Sequence, residues 1–492
     1  MIVASWRTRL LTLVFLTGSA GCAVGPDYLR PSVLLPPAWR GMQAQAASPT
    51  PPPPATDLRQ WWRAFDDSTL DRLIDAVLSE NLDLMTAAAR VREARAERVI
   101  SASGFYPSIG ASGSYEHTRL SKRSQVGDLV PGNQLEADLH QAAFDASWEL
   151  DVFGGIRRGV EAADAELAAV QEDERDLRIT LVAEAARSYV EIRSLEGRLA
   201  IARENIENQR ASLDLTLDRF HTGLASELDV TQAKSLLAST EAQVPALESQ
   251  YERSVHGLSV LVGREPNALE EELDGNAPMT RSPDVDALAV RIPAGLPSEL
   301  LRRRPDIRRA EREVAATTAQ VGVATAELYP KFSLAGLAGL ESVSASDLFR
   351  GGSRYFTAGP TISWRIFEGG RIQANIAAAD AREEQSLHQY VRAVLTGLRD
   401  VEDALVAYGK ERSRRDALME AVEANRRSVV LARDRYVNGV GTYLAVLDAE
   451  RTRYEAEDTL AQGNEALVVD LIAIYKALGG GWEMADTPVA SH

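Results

Sequence analysis

The feature that most constrains this chain is that it repeats its own plan. Asp83-Leu84 leads to Ala87 and then to Tyr106-Pro107, while Asp306-Ile307 leads to Ala310 and then to Tyr329-Pro330 at the same internal spacing. Trp148 with Gly154-Gly155 is echoed by Trp364 with Gly369-Gly370, one residue shorter. Arg219-Phe220, Gly223, Ser226 and Val230 match Arg435-Tyr436, Gly439, Thr442 and Val446, and Leu261-Val262-Gly263 is mirrored loosely by Ala477-Leu478-Gly479. The offset stays within 215 to 223 residues throughout, which marks a duplication. The fold must therefore be built from two copies of one unit.

Each copy reads as helix, two strands, long helix, tight turn, long helix. From Arg371 to Tyr436 there is no proline, and Ile372, Ile376, Ala379, Leu387, Tyr390, Val394, Leu398, Val401, Leu405 and Tyr408 fall on one helical face. At 1.5 Å per residue such a helix is about 100 Å long. The first copy has the matching run from Leu177 through Tyr189, Leu199 and Leu213 to Phe220. Gly223 and Gly439 break these helices, and Ser226 and Thr442 stand where they can cap the returns. Helices of this length suit a coiled-coil rod or a tall barrel.

Between the helices lie four alternating stretches. The clearest sets Phe144, Ala146, Trp148, Leu150 and Val152 against Asp145, Ser147, Glu149 and Asp151. Another sets Phe356, Ala358, Ile362, Trp364 and Ile366 against Thr357, Thr361, Ser363 and Arg365, with Pro360 interrupting; two weaker stretches follow Pro107 and Pro330. Alternation with Trp near one end fits a transmembrane strand, apolar toward lipid and polar toward a lumen, although any single strand of this kind is more often part of a half-buried soluble sheet. Four strands cannot close a conducting barrel, and eight would be filled by side chains. Three chains supplying twelve strands form the smallest ring that leaves a lumen, and a sheet in lipid tolerates no open edge.

The N-terminus indicates export. Trp6, Arg7 and Arg9 precede the apolar run Leu10–Leu16, and Gly18, Ser19, Ala20 and Gly21 follow, in the layout of a signal peptide. The apolar run is too short to span a bilayer. Cys22, the single cysteine, comes directly afterwards and has no partner for an intrachain disulfide. Ser19-Ala20-Gly21-Cys22 resembles a lipobox, with Ser19 where the usual pattern has Leu, and Ala23 leaves no inner-membrane retention Asp after the cysteine. The net charge of −17 over 492 residues excludes a nucleic-acid partner, which needs clustered Lys and Arg.

Gly25-Pro26-Asp27-Tyr28, Arg30-Pro31, Leu35-Pro36, Trp39, Trp61-Trp62 and Glu80-Asn81-Leu82-Asp83-Leu84 resemble the start of outer-membrane factors. So do Leu300-Leu301-Arg302-Arg303-Arg304-Pro305-Asp306-Ile307, Leu447-Asp448-Ala449 and the run Tyr475 to Trp482. The resemblance, from Cys22 to Trp482, is to the TolC/OprM-like outer-membrane efflux proteins, particularly the lipoprotein branch often labelled NodT. It implies a mainly α fold with a membrane β-barrel: duplicated strand pairs and long antiparallel helical hairpins, a homotrimer with a twelve-stranded barrel over a twelve-helix tunnel. It implies a lipid-anchored channel in the outer membrane, with its long part in the periplasm, that works with a periplasmic adaptor and an inner-membrane transporter of the proton-driven RND type. The expected divisions are a signal peptide (1–21), a lipid-attached extended segment (22–65), a first repeat (66–265), a linker (266–296), a second repeat (297–480) and a tail (481–492).

The resemblance also assigns residues. Adaptor contact falls at the hairpin tips, Thr222-Gly223-Leu224 and Asn438-Gly439-Val440; Gly441 stands where some relatives have Arg, so no latch is expected there. Leu444, Asp448 and Arg451, spaced by four and three, share one helix face and map to the periplasmic constriction, with Tyr436 and Asp229 as neighbours. By spacing alone, Asp448 and Arg451 are an ordinary surface pair worth a few tenths of a kcal/mol. The histidines show no metal-ligand spacing, and neither a nucleophile elbow nor a phosphate-binding loop is present, so no enzyme activity and no cofactor are expected. The competing reading is a structural coiled-coil lipoprotein that transports nothing.

Overall fold

The computed structural model describes residues 23–40, 58–123, 135–274 and 297–482. The signal segment, Cys22, most of the linker and the end of the tail lie outside the described residues. A kinked 3-10 segment at Leu58–Phe65 precedes α1 (Ser68–Glu80), α2 (Leu82–Ser103), β1 (Ser108–Arg119), β2 (Glu136–Leu150) and α3 (Gly155–His221). The return is α4 (Glu227–Glu241) and α5 (Val244–Val262), followed by a short α6 (Glu270–Asp274). The second copy holds α7 (Pro297–Arg303), α8 (Pro305–Ala326), β3 (Lys331–Ser342), β4 (Arg354–Ser363), α9 (Arg371–Val437) and α10 (Tyr443–Ala477). Both α3 and α9 run 67 residues, as the proline-free periodicity predicts.

One detail differs from the expected symmetry: the first return helix is two helices. Pro245 sits in the first turn of α5, where it lacks an N–H and its ring crowds the carbonyl of the residue four before, which ends α4. The break is put to use, because Gln243 at the joint accepts a hydrogen bond from the Tyr454 hydroxyl at 2.5 Å. No proline interrupts α10, which is continuous over 35 residues.

The described chain divides into two compact units, each drawing on both repeats. The first (23–32, 91–123, 135–170 and 310–390) contains one sheet of order β1-β2-β3-β4, antiparallel throughout. Its register aligns the alternation across all four strands. Ile109 pairs with Ala146, Ala111 with Phe144, Phe144 with Ala338, Trp148 with Leu334, Ala338 with Phe356 and Phe332 with Ile362, giving one apolar face. The opposite face carries Ser108, Ser112, Asp145, Ser147, Glu149, Ser333, Thr357 and Thr361. The apolar face is bare: Phe356 is 82% exposed, Ile109 74% and Phe144 67%. Both repeats end their second strand alike, since the indole of Trp148 donates to the Phe105 carbonyl at 2.9 Å and that of Trp364 to the Leu328 carbonyl at 3.0 Å. Trp364 and Ile366 lie just past the end of β4.

The Gly-Pro-Asp-Tyr segment is seated in this same unit. Gly25 approaches Gly322 of α8 so closely that an added Cβ would lie 2.4 Å from the Gly322 Cα. Arg158, almost wholly buried, pairs with Asp27 at 2.6 Å and donates to the Val24 carbonyl at 3.2 Å. Tyr28 donates to Glu311 at 3.1 Å, and Arg30 pairs with the other carboxylate oxygen at 2.9 Å. Burial first, then the Glu311 charge, pushes the Tyr28 phenol up to about 12.

The second unit (33–40, 58–90, 171–274, 297–309 and 391–482) is cored by Trp61, Trp62, Leu70, Ile74, Tyr189 and Tyr475, all buried. Trp61 stacks on Tyr475 at 5.1 Å with 10° between the planes and meets Trp62 edge-on at 5.9 Å. The repeat is visible again where each returning helix ends. Gly263 and Gly479 both adopt positive φ, and a Cβ on either would press on backbone, at Glu80 O (2.6 Å) and Arg303 O (3.2 Å) respectively. Trp482 closes this unit: its indole donates to the Arg303 carbonyl at 3.0 Å, and Arg175 and Arg308 lie over its ring at 5.0 and 5.1 Å. Removing the Trp61 ring by Trp61→Ala costs about 3–5 kcal/mol through the cavity it leaves, read as a lower Tm of the detergent-solubilised protein.

Candidate functional site

The two helical tips are built alike because the same residues stop the helix. Gly223 (φ 77°) and Gly439 (φ 74°) take the left-handed conformation that ends α3 and α9. The bonds that close each turn match: Leu224 N–H donates to Arg219 O at 2.7 Å, and Val440 N–H to Arg435 O at 2.9 Å. After the first tip Ser226 and Asp229 form a reciprocal capping box that starts α4. Thr442 occupies the matching position before α10, but its side chain makes no capping bond there. Gly441 packs tightly on the preceding turn, where a Cβ would meet the Arg435 Cβ at 3.1 Å. Leu224, Leu228, Val440 and Leu444 are each about three-fifths to two-thirds exposed, so both tips present bare apolar side chains.

Leu444, Asp448 and Arg451 share one exposed face of α10, as their spacing predicts, and Arg451 pairs with Asp448 at 3.0 Å. Tyr436 and Asp229 do not join that face. Tyr436 is buried, with its ring 5.4 Å from Tyr443, in a cluster completed by Ala233 and Val446. Asp229 is held by its cap, accepting from Ser226 N at 2.8 Å and Ser226 Oγ at 2.9 Å.

The packing behind that face contains residues that sequence reasoning missed. Arg219 lies over the Tyr436 ring at 4.7 Å and donates to the Val437 carbonyl at 3.0 Å, tying the end of α3 to the end of α9. Asn205, Gln209, Ser212 and Thr216 of α3 are all buried at heptad-like steps of four, three and four. Two of them meet carboxylates of α10: Asn205 donates to Glu457 at 3.3 Å, and Ser212 donates to Glu450 at 2.5 Å. Glu457 is further held by Arg426 at 2.8 Å and Arg453 at 3.2 Å. The second Glu450 oxygen and the Tyr436 hydroxyl are buried without a hydrogen-bond partner among the described residues. The heptad spacing was available in the sequence, but a search for apolar faces passes over polar residues in core positions.

Burial pushes the Glu450 carboxyl above the usual range, opposed by the Ser212 hydrogen bond and by Arg433 and Arg453. Such a group favours the fold when protonated, and that advantage fades as pH rises through its raised pKa. Glu450→Gln therefore raises the Tm relative to the unsubstituted protein at pH 8 and gives no gain at pH 4, a difference that paired thermal melts read directly.

Among the described residues no helix is long and apolar enough to cross a membrane, and no group of His, Cys, Asp and Glu is arranged to hold a metal ion. What the structure offers is an amphipathic sheet and a pair of exposed hairpin tips. The outer membrane efflux protein family model matches residues 73–264 and 296–480. The chain is 34% identical over 478 residues to the pyoverdine export outer membrane protein OpmQ of Pseudomonas aeruginosa, covering 96% of each chain. It is 30% identical to nodulation protein T of Rhizobium leguminosarum bv. viciae, over 97% of this chain and 94% of that one. A solved structure of the outer-membrane channel OprN superposes with a TM-score of 0.82 at 37% identity, over 94% of this chain and all of the other. These matches favour the duct over the coiled-coil rod.

Proposed function

The chain belongs to the outer membrane efflux protein family and is an outer-membrane efflux channel component, and from that premise we propose that three copies close one pore around a shared axis. The observation that carries this reading is the four-stranded sheet, apolar and bare on one face, polar on the other, and unpaired at β1 and β4 among the described residues. Lipid covers the apolar face, and β4 of one copy pairs with β1 of the next, so that no edge faces hydrocarbon. Cys22 carries the lipid anchor. A periplasmic adaptor binds the exposed tips through Leu224 and Val440, and an inner-membrane RND-type transporter supplies the energy.

The Leu444–Asp448–Arg451 face forms the constriction. Three Asp448 carboxylates come together around the axis, and their Arg451 partners bridge them and keep the aperture narrow. Opening breaks these contacts as the hairpins move outward. The combined variant Asp448→Ala/Arg451→Ala raises single-channel conductance in planar bilayers several-fold; an unchanged conductance rejects the gate. Mass spectrometry of the mature N-terminus finds a diacylglyceryl, N-acylated Cys22, and Cys22→Ser shifts the chain out of the lipid-modified pool; an unmodified cysteine rejects the anchor.

A further inference from the structure

Away from the tips and the gate face, the second unit contains a cavity of about 570 Å³, within the range of drug-sized ligand sites. Its walls are partly apolar, with Ile179, Ala404 and Ala473 among them. The charged groups facing it are Asp176 from α3, Arg304 and Asp306 at the start of α8, Arg399, Asp400 and Asp403 from α9, and Asp470 and Lys476 from α10. Five carboxylates thus face three cations, and two of those cations are engaged. Arg304 is bound to Asp306 at 2.7 Å, to Asp400 at 3.2 Å and to the Ala477 carbonyl at 3.1 Å. Arg399 pairs with Asp400 at 2.9 Å. Lys476 acts on Asp176, together with Arg304 and Arg309.

Asp470 is different. It makes no hydrogen bond or ion pair with any described residue, and no cation compensates it; its carboxyl is pushed up to about 6, first by burial and then by the Glu411 charge. A half-buried carboxylate left uncompensated at the wall of a roomy, partly apolar cavity is an arrangement that a positively charged guest completes. We propose that this cavity binds an organic monocation, an amine or onium compound with an apolar body, with its charge against Asp470. The apolar wall takes the body of the guest, and the saturated Arg304 and Arg399 pairs leave Asp470 as its counter-ion.

Equilibrium dialysis of tetraphenylphosphonium against the purified full-length protein tests this, with uncharged triphenylphosphine oxide as comparator. Saturable binding of the cation at pH 7.5 is expected, weakened about tenfold or more by Asp470→Asn. It is also expected to weaken in the unsubstituted protein as pH falls from 7.5 to 5, where Asp470 becomes neutral, with little pH dependence in the variant. Ala473→Phe, which fills the cavity without changing its charge, abolishes binding as well and provides an independent reading should Asp470→Asn fail to assemble. Equal binding of the uncharged compound, unaltered affinity in both variants, or no saturable binding because a neighbouring copy fills the space overturns the proposal. None of these outcomes bears on the gate or on the pore.

Discussion

The constraint on which the rest of the structure depends is the alignment of four strands so that most of their large apolar side chains fall on one side. Ile109, Phe144, Leu334 and Phe356 belong to four different strands, yet the antiparallel register brings them to a single face. Burying such a face in lipid is favourable at about 25 cal/mol per Å² of apolar surface, whereas leaving it in water forfeits that gain. The backbone makes the same demand in a stricter form, because each unpaired N–H or C=O at a strand edge in hydrocarbon costs several kcal/mol. Assembly and membrane residence thus follow from one pattern of side chains.

The helical part is organised by a different rule. Aromatic stacking ties Tyr475 of α10 to Trp61 of the short segment before α1, and α3 meets α10 partly through a seam of small polar residues. Asn205, Ser212 and Thr216 contribute little apolar area, so separating them from α10 exposes little that water rejects. Glu457 binds Asn205 and Arg426 from two other helices and Arg453 from its own, which fixes the register that a polar seam alone leaves loose. Joints of this kind are specific in alignment and modest in adhesion.

The architecture was legible in the sequence where a residue type has one physical use. Gly223 and Gly439 mark the tips because a left-handed helix end favours glycine, and alternation around Trp148 marks a strand with two unlike faces. The spacing of Leu444, Asp448 and Arg451 placed them correctly on one face. Pro245 was visible too, but the symmetry of the repeat suggested an unbroken return helix where proline geometry forbids one. The grouping of Arg219, Tyr436, Ser212 and Glu450 was not legible, because it depends on the alignment of helices more than 200 residues apart in sequence. Asp470 was hidden for the same reason: its lack of a counter-ion is a property of the fold, not of its neighbours in the chain.

The strand order carries a consequence for how the protein is made. β1 with β2 and β3 with β4 are near neighbours in sequence, but the central joint pairs His140 with Ser342 and Leu150 with Phe332. Each hairpin can therefore appear as soon as its own segment has crossed the inner membrane, while the joint between them waits for nearly two hundred further residues. During that interval the first hairpin travels with its greasy side uncovered, a species prone to clumping.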